Sequence, residues 1–168
     1  MSKYIFLDID GVLNCNNTTD DCFGMTGIED RLVEKLSTIV NATGAEIVLT
    51  STWRDYWESD KKESQDAEGT YLDEKLLKQG LRISAKTDPD WLYKRGEGIV
   101  EWLKDKNVES FVILDDEPHD YREMNLEKYW IQTHDVNDGG ITDEDVVKAI
   151  GNLNSEGEYY YAEIYLLS

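Results

Sequence analysis

Tyr4-Ile5-Phe6-Leu7 is an unbroken apolar run that stops at Asp8-Ile9-Asp10-Gly11. A strand with one wet face would alternate apolar and polar residues. Four apolar residues in a row suit a strand covered on both faces, as in a parallel sheet. Parallel strands need long crossovers, so helices must follow and pack on that sheet. The two aspartates at the mouth of this strand are costly to hold together unless positive charge lies between them. A divalent cation meets that need.

The rest of the chain repeats the pattern. A loop rich in Asn, Thr, Asp and Gly (14–27) follows, and Thr26-Gly27-Ile28-Glu29 has the spacing of a capping box. The helix it predicts runs to about Val40, with Leu32, Leu36, Ile39 and Val40 inward. After Gly44, Glu46–Leu49 is a second short strand, ending in Thr50-Ser51-Thr52-Trp53-Arg54. Residues 58–70 are polar and read as an exposed loop or frayed helix end. A helix over 71–79 with Gly80 as its stop, a strand at Leu81-Arg82-Ile83 and a turn at Asp88-Pro89-Asp90 come next. A helix over about 95–106 turns Ile99, Trp102 and Leu103 inward, and Phe111–Leu114 is a strand ending in Asp115-Asp116. Residues 129–133 form another strand, and Thr142 caps a last helix through about Leu153. The tail 155–168 has strand propensity but no assigned place, beside a core over about 4–153. Strands alternating with helices predict one α/β domain over 1–168: a Rossmann-like three-layer α/β/α sandwich with a mainly parallel central sheet.

The chain has 168 residues, and 17 basic against 36 acidic side chains leave a formal charge of −19. Such acidity opposes extended binding to nucleic acid or to an anionic membrane. It leaves room for a small phosphorylated substrate held by a metal. No apolar stretch reaches the roughly 20 residues that span a bilayer, and no secretory signal is read at the start. Cys15 and Cys22 provide neither a disulfide framework nor a CxxC metal site, although a bond between them stays open. A reduced cytoplasmic setting is the expectation.

In open α/β sheets, ligands bind at the carboxyl ends of the strands. Four polar clusters fall at or beside such ends, in the order Asp8/Asp10, Thr50/Ser51, Lys94-Arg95 and Asp115-Asp116-Glu117-Pro118-His119-Asp120. In that order they resemble the motif set of the haloacid dehalogenase (HAD) superfamily, the aspartate-nucleophile phosphatases, over about residues 4–150. Leu49–Arg54, Ile99–Leu103 and Gly139-Gly140-Ile141-Thr142 look further like a small, nearly capless subgroup. Some relatives in that subgroup are attached to RNA-repair enzymes.

The resemblance implies roles that the chemistry makes intelligible. Asp8 attacks phosphorus and carries an aspartyl-phosphate. Asp10 protonates the leaving oxygen and then activates water, and its carbonyl is a metal ligand. Gly11 permits the sharp turn. Thr50 gives a hydroxyl to the phosphoryl oxygens with help from Ser51, unless it is a plain cap. Arg54 steers an anionic substrate or pairs with a surplus acid, and the sequence leaves both open. Lys94 and Arg95 compete to be the site cation. Arg95 shares a helix face with Ile99 and Leu103, so it is preferred. Asp116 joins Asp8 and Asp10 around Mg²⁺, Asp115 orients the cation, and Asp120 acts through water. His119 reads as a surface residue and His134 as structural. The tryptophans read mainly as core, with Trp53, Trp57 and Trp91 able to border a substrate.

The expected activity is Mg²⁺-dependent hydrolysis of a phosphomonoester. The segments after Leu13 and between Arg54 and Arg95 are too short for a full cap domain, which predicts an open site. A nucleotidase or nucleic-acid end phosphatase is the alternative within enzymes. A catalytically silent phosphate-binding or interaction module is the alternative outside them.

Overall fold

The computed structural model describes residues 1–60, 65–88 and 94–155. Its sheet contains β1 (Ser2–Leu7), β4 (Glu46–Leu49), β5 (Ile83–Lys86), β6 (Val108–Asp115) and β7 (Trp130–Gln132). Their order is β5-β4-β1-β6-β7, with every neighbouring pair parallel. A small antiparallel hairpin, β2 (Asp21–Cys22) and β3 (Met25–Thr26), follows the first strand.

The apolar run of β1 is divided between two cores, which is why it does not alternate with polar residues. Ile5 and Leu7 pack with Ile47, Leu49, Val112 and Leu114. That side is closed by α1 (Asp30–Thr43), α2 (Ala67–Leu77) and α4 (Asp143–Asn154), through residues such as Leu36, Leu76 and Leu153. Tyr4 and Phe6 turn the other way with Val48, Phe111 and Ile113, onto Ile99 and Leu103 of α3 (Arg95–Leu103). The result is the three-layer α/β/α sandwich that the alternation of elements predicts.

Several boundaries move. Residues 26–29 do not form a capping box: Thr26 pairs with Asp21 in the hairpin, and α1 starts at Asp30 with Glu29 as its uncapped flank. Tertiary bonds override the local signal, since Asn14 Nδ2 donates to Gly27 O and the Ile28 amide donates to Tyr71 OH. The helix expected from residue 71 begins at Ala67, inside the polar stretch. There Gly69 packs so tightly on Tyr56 O that a Cβ would lie 2.1 Å from it. The strand expected at 81–83 lies at 83–86, and α3 ends at Leu103 rather than 106. Thr142 does cap α4, in a capping box with Asp145. Cys15 and Cys22 are buried free thiols. Pro89, Asp90, Trp91 and the tail from residue 156 lie outside the described residues. Among those described, no helix is long and apolar enough to cross a membrane.

Candidate active site

The parallel ladder sets the site before any side chain is considered. Carbonyls at the ends of β1, β4 and β6 accept from the residues just beyond neighbouring strands. The Asp8 amide donates to Leu114 O, Thr50 to Leu7 O, Thr87 to Leu49 O and Thr133 to Asp115 O. These residues and Asp115 therefore share one edge of the sheet. Gly11, at φ 79°, turns the chain back over that edge. Thr133 Oγ1 donates to its carbonyl at 2.7 Å, holding the turn.

Asp8, Asp115 and Asp116 converge there, each offering a carboxylate oxygen within 4.8 Å of the others. Arg95 Nη1 answers them, 3.2 Å from Asp8 Oδ1 and 2.7 Å from Asp115 Oδ2. The Arg95 side chain is 6% exposed. Burial opposes its charge, but Asp8 and Asp115 outweigh that and hold the guanidinium well above its ordinary pKa. Lys94, by contrast, is 65% exposed and pairs with Glu97 at 3.5 Å. The geometry thus separates the two candidate cations as the helical spacing does.

Asp115 is saturated. Its Oδ2 also accepts from Tyr121 OH at 2.7 Å and lies 3.3 Å from His119 Nε2, while its Oδ1 accepts from the Glu117 amide. Burial raises this carboxyl, but the His119 bond, Arg95 and the Glu117 amide overcome it and leave the pKa at about 2. The other two acids are in the opposite state. Burial, then the Asp115 charge, push Asp8 well above the usual carboxylate range despite Arg95. Burial and then Asp115 lift Asp116 from 3.8 to about 6. Asp8 and Asp116 crowd like charges together here, and a cation between them would relieve that repulsion.

These residues fit a divalent ion. Asp8 and Asp116 keep oxygen lone pairs that Asp115 has spent, and hard oxygen ligands suit Mg²⁺. The Asp116 carboxylate presses on Gly11, where a Cβ would meet its Oδ2 at 2.4 Å. The Asp10 carboxylate lies outside the three-acid cluster. It accepts from Asn14 Nδ2 at 2.9 Å and Trp53 Nε1 at 3.3 Å, at the wall of a cleft.

Other candidates take unexpected positions. Arg54 is not a surface steering group: it is fully buried, with Nη1 donating to Thr87 Oγ1 at 2.7 Å. Burial and then the Arg95 charge lower its pKa from the ordinary value. Its Nε and Nη2, with Thr50 Oγ1 and Arg95 Nε, are buried without a hydrogen-bond partner among the described residues. Ser51 Oγ accepts from the Trp53 amide and caps a short 3₁₀ turn (Thr52–Asp55). Asp120 lies at the start of α3. Both of its oxygens are taken by the Gly96 and Glu97 amides, at 2.6 and 3.1 Å, so it caps α3. Tyr121 and Thr87 escape the sequence reading. Each looks like an ordinary polar residue until the fold places it against Asp115 or Arg54.

The family described as the HAD domain in Swiss Army Knife RNA repair proteins matches residues 4–146. The chain belongs to that family. Asp8, Thr50, Arg95, Asp115 and Asp116 all fall within the matched span. No curated protein matches. Among solved structures, a chain described as a HAD superfamily (subfamily III A) hydrolase from Legionella pneumophila is similar at 14% identity and a TM-score of 0.45. That similarity covers 100% of this HAD chain and 91% of the other.

Proposed function

We propose that this HAD hydrolase is a Mg²⁺-dependent phosphomonoesterase that works through an aspartyl-phosphate on Asp8. One observation carries the reading. Three carboxylates within 4.8 Å sit beside buried donor atoms of Thr50, Arg54 and Arg95 that lack hydrogen-bond partners among the described residues, and a phosphoryl group supplies the acceptors they need. Asp8, Asp116 and the Asp10 carbonyl would hold Mg²⁺, whose charge keeps Asp8 ionised and offsets that of the phosphoryl oxygens.

The residues divide the work. Asp8 attacks phosphorus as the bond to the leaving oxygen breaks, and Asp10 gives that oxygen its proton. Asn14 and Trp53 hold the Asp10 carboxylate in place for the transfer. Asp10 then takes a proton from water, which attacks phosphorus, releases inorganic phosphate and restores Asp8. Arg95 and Thr50 stabilise the transferring oxygens. Asp115 and Tyr121 fix Arg95, and Asp120 fixes the first turn of its helix.

Release of phosphate from an aryl phosphate tests this: activity with Mg²⁺ and none after chelation supports it, and metal-independent release refutes it. A phosphatase acting on nucleic-acid ends is the second reading. The description of the family, which concerns RNA repair proteins, favours it.

A further inference from the structure

Arg54 is fully buried, and among the described residues it forms no ion pair. Its Nη1 donates to Thr87 Oγ1, which is neutral. Asp55 and Asp88 favour its charge without bonding to it, while burial and Arg95 oppose it. A buried cation of this kind is costly to a fold unless an anion meets it. The turn that carries it is held at both ends. Ser51 O accepts from the Arg54 amide, and Lys86 Nζ donates to Arg54 O at 2.8 Å and to Trp57 O at 2.7 Å. A backbone fixed around an unpaired charge serves a ligand better than it serves stability.

Nε and Nη2 lie on one edge of a guanidinium and present two parallel N–H groups, a fork that takes two oxygens of a phosphate. On Arg54 that whole edge is without a partner among the described residues. The strand order places it. Thr87, Thr50, Asp8 and Asp115 lie at the ends of β5, β4, β1 and β6, which are consecutive in the sheet. Arg54 is anchored at Thr87, and Arg95 at Asp8 and Asp115. Thr50 lies between the two anchors, and its Oγ1 and the Arg95 Nε are also without partners there.

Resting on the phosphatase reading above, we infer that Arg54 is a second cation of the phosphoryl site, that it clamps two non-bridging oxygens from the side opposite Arg95, and that inorganic phosphate binds there without metal. The two cations divide the work. Arg95 touches Asp8, so it acts on the attacking group as well as on the phosphoryl oxygens. Arg54 is bonded to no carboxylate of the site and grips substrate, transition state and released phosphate alike. Uniform binding of that kind sets KM and the retention of product rather than kcat.

The test titrates inorganic phosphate calorimetrically into Asp8→Asn in chelator, which removes turnover and the charge of the nucleophile. Phosphate should bind, and adding Arg54→Met should weaken it roughly tenfold or more, the worth of a lost bond to a charged group. Arg54→Lys should fall between, since a point charge does not replace the fork. Thermal unfolding separates this from a structural role. Phosphate should raise the Tm of Asp8→Asn and leave that of the Asp8→Asn, Arg54→Met double variant unmoved. Without phosphate the double variant should be at least as stable as its parent, having lost an unpaired buried charge. The inference is overturned if Asp8→Asn binds no phosphate, if Arg54→Met leaves the affinity unchanged, or if the double variant is less stable by the same margin with and without phosphate. Should Arg54→Met not fold, Arg54→Lys decides on the same readouts. With Mg²⁺ and an aryl phosphate, Arg54→Met alone should raise KM and the inhibition constant of phosphate together, by about tenfold, with kcat within several-fold. If the unaltered chain releases no phosphate, the phosphatase reading falls, while the titration still decides the role of Arg54.

Discussion

Replacing Asp116 with Asn should make the metal-free protein more stable at pH 8. Burial and the Asp115 charge lift the Asp116 carboxyl from 3.8 to about 6. An acid whose folded pKa exceeds its unfolded value binds its proton more tightly when folded. Its stabilising contribution is complete below 3.8 and is lost as pH rises through about 6. At 1.36 kcal/mol per pH unit the full loss is roughly 3 kcal/mol, and partial exposure of the group lowers it to ~1–3 kcal/mol. Asparagine carries no charge at any pH, so at pH 8 the variant escapes that loss. For a chain of this size the gain is a rise in Tm of about 2–12 °C. Near pH 5 about half of that loss remains, because the unfolded carboxyl ionises from 3.8 upward, so the gap should narrow by roughly half and close only below 3.8. Mg²⁺ should reverse the order, because a ligand at a hundred times its Kd adds ~2.7 kcal/mol to the wild type. Thermal unfolding at pH 5 and pH 8, in chelator and in saturating Mg²⁺, measures all of this. A variant less stable than wild type at pH 8 in chelator, or a gap independent of pH, would refute the electrostatic account.

Other substitutions probe the remaining parts. Asp8→Asn should abolish phosphate release while leaving a cooperative unfolding transition, and retention of more than a few per cent of activity would remove Asp8 from the role of nucleophile. Arg95→Ala should cut kcat by roughly 10²-fold, whereas the exposed Lys94→Ala should stay within several-fold. The opposite result would show that the wrong cation has been chosen. Gly11→Ala places a Cβ 2.4 Å from Asp116 Oδ2 at φ 79°. It should cost ~1–2 kcal/mol for the backbone alone and weaken the rise in Tm that Mg²⁺ gives. Asp120→Ala should lose about 1 kcal/mol of capping and lower kcat through Arg95, while that Mg²⁺ effect persists; an unchanged kcat would make the cap purely structural.

The architecture is legible because it is written in contiguous residues. Tyr4–Leu7 announces a two-sided strand, and alternating elements leave few topologies. The acid positions are legible for the same reason, since strand ends are fixed points where carboxylates gather. What a carboxylate does there is less legible. Asp115, Asp116 and Asp120 look alike in sequence, yet one is saturated by four donors, one is left for a cation and one caps a helix. Those roles depend on residues distant in sequence, such as Gly96 for Asp120 and Arg95 for Asp115. Arg54 shows the same limit: its burial follows from Thr87, 33 residues away, which a local reading does not connect to it. The false capping box at Thr26 fails because Tyr71 and Asn14 claim that backbone first.

The place of β1 in the strand order has a consequence for when the site exists at all. β1 is hydrogen-bonded along both edges, to β4 and β6, and both of its faces are buried. Its amides can meet solvent deuterium only when the whole sheet comes apart, so Ile5–Leu7 should exchange at the rate of global unfolding. β5 and β7 lie at the ends of the strand order and can open locally. The carboxylate at the tip of β1 is thus fixed to the last part of the molecule to yield, and local breathing at the margins leaves its aim unchanged.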